Sequence, residues 1–140
     1  HTGHYAGKHP PDTRVAAEIT EAVQADLVQG GITCAKAHAI AERMGVPPLQ
    51  VGIAVDLLEE RIGQCQMGLF GHDRDQKRVR PAPSVSPQLK TAVEKALQDE
   101  RLPCASAWRI AKDFQMTRQA VADACEALKI RIKPCQLGAF

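Results

Sequence analysis

Apolar side chains recur at helical spacing from Val15 through Ile19, Ala22, Val23 and Leu27. That stripe predicts a first amphipathic helix, capped by Asp12 or Thr13 and stopped at Gly30-Gly31. Ala37, Ile40, Ala41 and Met44 form the inward face of a shorter second helix that Thr33 can cap. Gly45 follows where one helix must turn sharply into the next, and Val46 packs into the corner. Pro48 suits the first turn of a third helix, which buries Val51, Ala54, Val55 and Leu58. Ile62 to Phe70 then reads as a strand.

The same pattern returns 70 positions later without a gap. Cys34-Ala35-Lys36-Ala37 falls on Cys104-Ala105-Ser106-Ala107, Ile40-Ala41 on Ile110-Ala111, and Arg61-Ile62 on Arg131-Ile132. Cys65-Gln66-Met67-Gly68-Leu69-Phe70 falls on Cys135-Gln136-Leu137-Gly138-Ala139-Phe140. Between 17–70 and 87–140, 17 of 54 positions are identical, which two unrelated helical stretches would not produce. Ser86-Pro87 opens the second copy, and Thr117 opens its third helix, with Val121, Ala124, Cys125 and Leu128 inward. Four segments result: a flexible arm over 1–13, a repeat over 14–70, a basic and proline-rich linker over 71–86, and a second repeat over 87–140. The expected fold is mainly α with short β: tandem units of three helices plus a C-terminal strand each.

Ile40-Ala41, Gly45, Val46, Val51 and Ala54 resemble the helix-turn-helix superfamily, and more narrowly its winged-helix branch. The second copy shows Ile110-Ala111, Phe114, Met116, Val121 and Ala124, with Gln115 in place of the turn glycine. One strand cannot make a sheet. The strands at 62–70 and 132–140 are therefore expected to pair across a pseudo-twofold axis or with a partner chain.

The resemblance implies a third helix that reads the major groove with its first turn. In the second copy that turn offers Thr117 as cap and phosphate contact, Arg118 for guanine and Gln119 for adenine. Arg109, Lys112, Lys77, Arg78 and Arg80 would hold phosphates. The first copy presents Pro47, Pro48, Leu49 and Ile53 there, followed by Asp56, Glu59 and Glu60. Charge follows the same division: −3 over 14–70, +2 over 71–86 and +3 over 87–140. With a net charge of only +2, charge alone does not make the chain a nucleic-acid binder. The expected function is transcription-associated DNA binding, with the second copy as reader and Leu49 and Ile53 of the first as a dimer or partner surface. The alternative is a winged-helix adaptor that binds protein and not DNA.

Four cysteines recur in pairs, Cys34 with Cys104 and Cys65 with Cys135. Small buried side chains are one reading, a shared metal or redox site with these four as weak metal candidates is a second, and a disulfide within each repeat is the third. Cys125 stands opposite Val55 and reads as core. His38 stands opposite Trp108 and reads as a half-buried packing residue. His1, His4 and His9 would gather a metal only at the cost of ordering the arm. No phosphate loop, Ser/His/Asp set or paired carboxylates appear, so neither enzymatic activity nor a cofactor is expected. Hydrophobic residues make up 44% of the chain, enough for a core. No apolar run is long enough to span a bilayer and no signal peptide opens the chain, so a cytoplasmic protein without membrane contact is expected.

Overall fold

The computed structural model describes residues 5–70 and 78–140. Among the described residues, six α-helices carry the fold: α1 Ala17–Asp26, α2 Cys34–Met44, α3 Pro48–Leu57, α4 Pro87–Ala96, α5 Cys104–Asp113 and α6 Arg118–Ala127. Four short strands lie between them: β1 Gly31–Thr33, β2 Arg61–Gly63, β3 Arg101–Leu102 and β4 Arg131–Ile132. The fold is thus mainly helical, and no described helix is long and apolar enough to cross a membrane.

Local chemistry sets most boundaries. Thr33 Oγ1 accepts from the Lys36 amide at 3.1 Å, and Thr117 Oγ1 from the Ala120 amide at 3.0 Å, so both expected caps form. Ser86 Oγ accepts from the Leu89 amide at 3.1 Å and opens α4. The first helix differs from expectation. It begins at Ala17, and Ala16 precedes it without a side-chain cap, so neither Asp12 nor Thr13 serves. After α2, Gly45 takes φ 65°; after α5, Gln115 takes the same left-handed turn at φ 54°. The turn geometry is kept although the side chain resists it. Gln115→Gly should therefore stabilise the protein by about 0.5–1 kcal/mol, read as a higher urea midpoint with an unchanged m-value.

The strands require a correction. Neither 62–70 nor 132–140 forms a long strand. β2 pairs in parallel with β1, Gly31 opposite Arg61, and β4 pairs in parallel with β3, Arg101 opposite Arg131. Each strand finds its partner just before the second helix of its own half, not across a pseudo-twofold axis or in another chain. Residues 65–70 instead close on themselves, with the Cys65 amide donating to the Phe70 carbonyl at 3.1 Å and the Gly68 amide to the Cys65 carbonyl at 2.9 Å. Cys135 repeats the closure on Phe140 at 2.8 Å. Gly68 and Gly138 sit at φ 78° and 76°, a region no strand residue occupies, so an apolar run that alternates like a strand turns instead.

The chain divides into two compact units, 1–64 with 137–139 and 65–136 with 140. The closed turn at 65–70 thus belongs with the second set of helices, and 137–139 with the first. In the first unit the core is Ile19, Val23, Ala37, Ile40, Ala41, Val51, Ala54 and Val55. In the second, Met67 and Val79 join Leu89, Val93, Leu102, Ala107, Ile110, Val121, Ala124 and Cys125 in one cluster.

Two expectations about the connecting segments also change. Residues 5–8 of the supposed flexible arm form a turn of 3-10 helix whose Tyr5 and Ala6 amides donate to the Glu59 carboxylate at 2.7 and 3.0 Å. The described end of the supposed linker is likewise packed: Val79 is buried, and Ala82 donates its amide to the Asp123 carbonyl at 3.0 Å.

Candidate functional site

The outward face of α6 carries the side chains expected to read DNA, and most are engaged within their own unit. Thr117 is spent on the cap. The Arg118 guanidinium carbon lies 3.5 Å from the centre of the Trp108 ring, and Nη1 donates to Gln66 Oε1 at 3.2 Å. That combines a cation–π contact with a hydrogen bond, so the guanidinium is held in one place. Gln119 Nε2 donates to the Arg78 carbonyl at 3.2 Å, and its carboxamide packs over Gly68, where any added Cβ would press on it at 3.2 Å. One turn further, the Asp123 carboxylate accepts the Arg80 amide at 3.0 Å. Residues 65–70 and 78–82 therefore lie over the face that a groove reader must expose.

Of the expected phosphate contacts, Arg78, Arg80, Arg109 and Lys112 are all exposed. Lys77 lies outside the described residues. Arg109, Lys112 and Arg118 come together with Trp108, Ala111 and Met116 around a shallow cleft of about 440 Å³. Among the described residues, no acidic side chain lines it.

The face of α3 is engaged too. The helix is apolar on all sides, and its one buried acid, Asp56, is 6% exposed. His9 Nε2 meets Asp56 Oδ2 at 2.8 Å and Lys8 Nζ meets the same oxygen at 3.1 Å. His9 is thus an anchor of the N-terminal segment; His1 and His4, the other members of the expected metal set, lie outside the described residues. A Cβ on Gly52 would overlap the Leu137 carbonyl oxygen, so the helix can accept 137–139 only because that position is glycine. Leu49 sits beside Gly138 and keeps 47% of its surface exposed, while Ile53 is half-buried.

All five cysteines are buried, and none is in a disulfide. Burial pushes the Cys65 and Cys104 thiols up, and Cys125 up to about 11. Gln136 Nε2 lies 3.5 Å from Cys104 Sγ, and His38 Nδ1 lies 3.5 Å from Cys34 Sγ and 3.0 Å from the Cys34 carbonyl. Among the described residues, no three His, Cys, Asp or Glu side chains converge to hold a metal. Of the weak metal candidates Cys34, Cys65, Cys104 and Cys135, three lie near enough to interact: Cys135 raises the Cys65 and Cys104 thiols further, and Cys65 raises that of Cys104. Iodoacetamide should alkylate the native protein far more slowly at pH 8 than the urea-unfolded chain, counted by mass spectrometry. The raised Cys125 value has a further sign: its stabilising effect is whole below pH 9.0 and is lost as pH rises toward about 11.

Protein-family models, curated proteins and solved structures offer no match to this chain. Its chemistry is read from its own residues alone. Three features escaped sequence reasoning. Asp56 and Glu59 looked like surface acids, yet they hold the N-terminal segment. Trp108 and Arg118 are ten residues apart, a spacing that signals nothing in advance. Gly52 carried a usable signal: a glycine inside a helix costs about 1 kcal/mol, so something must need the space.

Proposed function

We propose that this chain is a non-catalytic protein-interaction module, a tandem pair of helix-turn-helix units of winged-helix type. The tandem reading is supported by the 70-residue offset, which the starts of all six helices keep. The left-handed pair Gly45 and Gln115 keeps it as well. The observation that carries the interaction reading is the engagement of α6: Arg118 and Gln119, which would read bases, bind Trp108, Gln66 and the Arg78 carbonyl instead. A base-reading helix needs those donors directed outward. The surfaces left to a partner are the cationic cleft beside Trp108 and the exposed Leu49.

DNA binding is the second reading, favoured by the exposed cations Arg78, Arg80, Arg109 and Lys112. It requires residues 65–70 to leave α6. The two readings separate in one titration of a labelled mixed-sequence duplex, followed by anisotropy at 50 and 200 mM salt. The interaction reading expects only weak binding that Arg118→Ala leaves unchanged. Tight binding that falls by about 10³-fold or more between those salts, and is lost in Arg118→Ala, would instead establish the groove reader.

A further inference from the structure

We infer that the cleft beside Trp108 is a docking site for an acidic peptide segment of a partner protein, an apolar anchor residue flanked by Asp or Glu. This inference rests on the interaction reading above and names the ligand class of one of its surfaces. Three cations, Arg109, Lys112 and Arg118, line the cleft, and among the described residues no carboxylate shares its lining. Arg118 is already immobilised on the Trp108 ring and by Gln66, with one of its five N–H donors spent there. A preset guanidinium loses little freedom when it grips a carboxylate, which favours paired bonds to both oxygens. Arg109 and Lys112 are exposed on α5 and can close on flanking acids. Trp108, Ala111 and Met116 supply an apolar floor.

That floor separates a peptide from duplex DNA. A phosphodiester backbone brings charge but nothing apolar to bury, whereas a leucine flanked by carboxylates uses both parts of the cleft. The covered face of α6 removes the base contacts that would favour DNA.

Trp108 is the only tryptophan in the chain, so its emission reports the cleft directly. The probe is a capped hexapeptide, Glu-Asp-Leu-Leu-Asp-Glu, titrated into the full chain at 150 mM salt. The control is its amide counterpart, Gln-Asn-Leu-Leu-Asn-Gln. The expected result is a saturable change in Trp108 emission with the acidic peptide and none with the amide one. Lys112→Glu and Arg109→Glu, both at exposed positions, should each weaken binding at least tenfold and leave the circular dichroism spectrum unchanged. Lys129→Glu, exposed and outside this cleft, should bind normally. No saturable change up to millimolar peptide overturns the inference. So does equal binding of the amide peptide, or concentration-dependent self-association that Lys112→Glu abolishes, which would make a second copy the occupant. If the peptide fails while duplex DNA remains weakly bound, only the ligand class falls. If duplex DNA binds tightly through Arg118, the interaction reading falls with it.

Discussion

Gly52→Ala should destabilise the first unit by roughly 2 kcal/mol, although alanine is the better helix former. In an exposed helix this exchange gains about 1 kcal/mol. Here the new methyl meets the backbone carbonyl of Leu137, which is not the far end of a flexible side chain and cannot swing aside. Either 137–139 lifts away or α3 shifts. Lifting exposes Leu137, which is 1% exposed in the native protein. The control is removal of 137–140. In that shortened chain Gly52→Ala should reverse sign and stabilise by up to about 1 kcal/mol, because only helix propensity is left. Urea unfolding of the four proteins gives the coupling as a double-mutant cycle. A destabilisation that survives the truncation unchanged would refute the seat assigned to the tail.

Met67→Ala should cost about 3 kcal/mol, within the range for deleting a fully buried large side chain. Met67 is 0% exposed and lies in the cluster with Val79, Val93, Leu102 and Val121. Its place in the sequence suggests otherwise, since it follows the first set of helices and precedes the connecting segment. A residue in a free tail would lose no more than about 0.5 kcal/mol on truncation to alanine. Trp108 packs partly buried against the same cluster, so its fluorescence should follow the loss. A midpoint for the Trp108 transition that does not move would contradict the membership of 65–70 in that unit.

What the sequence revealed and what it hid divide along a physical line. Helix starts and turns are local, so Thr33, Thr117, Ser86 and Pro48 disclosed them, and Gly45 predicted the left-handed turn that Gln115 also adopts. Strands of two or three residues leave too short a pattern, and β1 and β3 went unseen. The Cys-Gln-x-Gly-x-Phe element was visible as a repeat but not as a closed turn, because its apolar residues mimic strand alternation. Its placement rests on contacts distant in sequence, such as Gln66 with Arg118, which no local rule supplies. The same contacts determine the site. Arg118 is legible in the sequence as a donor on α6, while its commitment to Trp108 and Gln66 depends on tertiary packing. Arg109 and Lys112 were legible as exposed cations, and their grouping with Trp108 and Met116 followed only from the turn between α5 and α6.

In this protein the chain's own segments occupy the face of α6 that a DNA reader would need free. Amide hydrogen exchange, resolved by NMR in the whole 140-residue chain, tests this occupation most directly. The Arg78 amide donates to the Gly68 carbonyl and the Ala82 amide to the Asp123 carbonyl, while Gly68 itself closes on Cys65. The Ala82 amide should exchange at least about 100-fold more slowly than in an unstructured chain, because it opens only when its segment leaves α6, and the Gly68 and Arg78 amides, bonded within and between the covering segments, should be slowed with it. Exchange of Arg78, Ala82 and Gly68 at unstructured-chain rates, with the α6 amides still protected, would show the face to be free and would contradict the account.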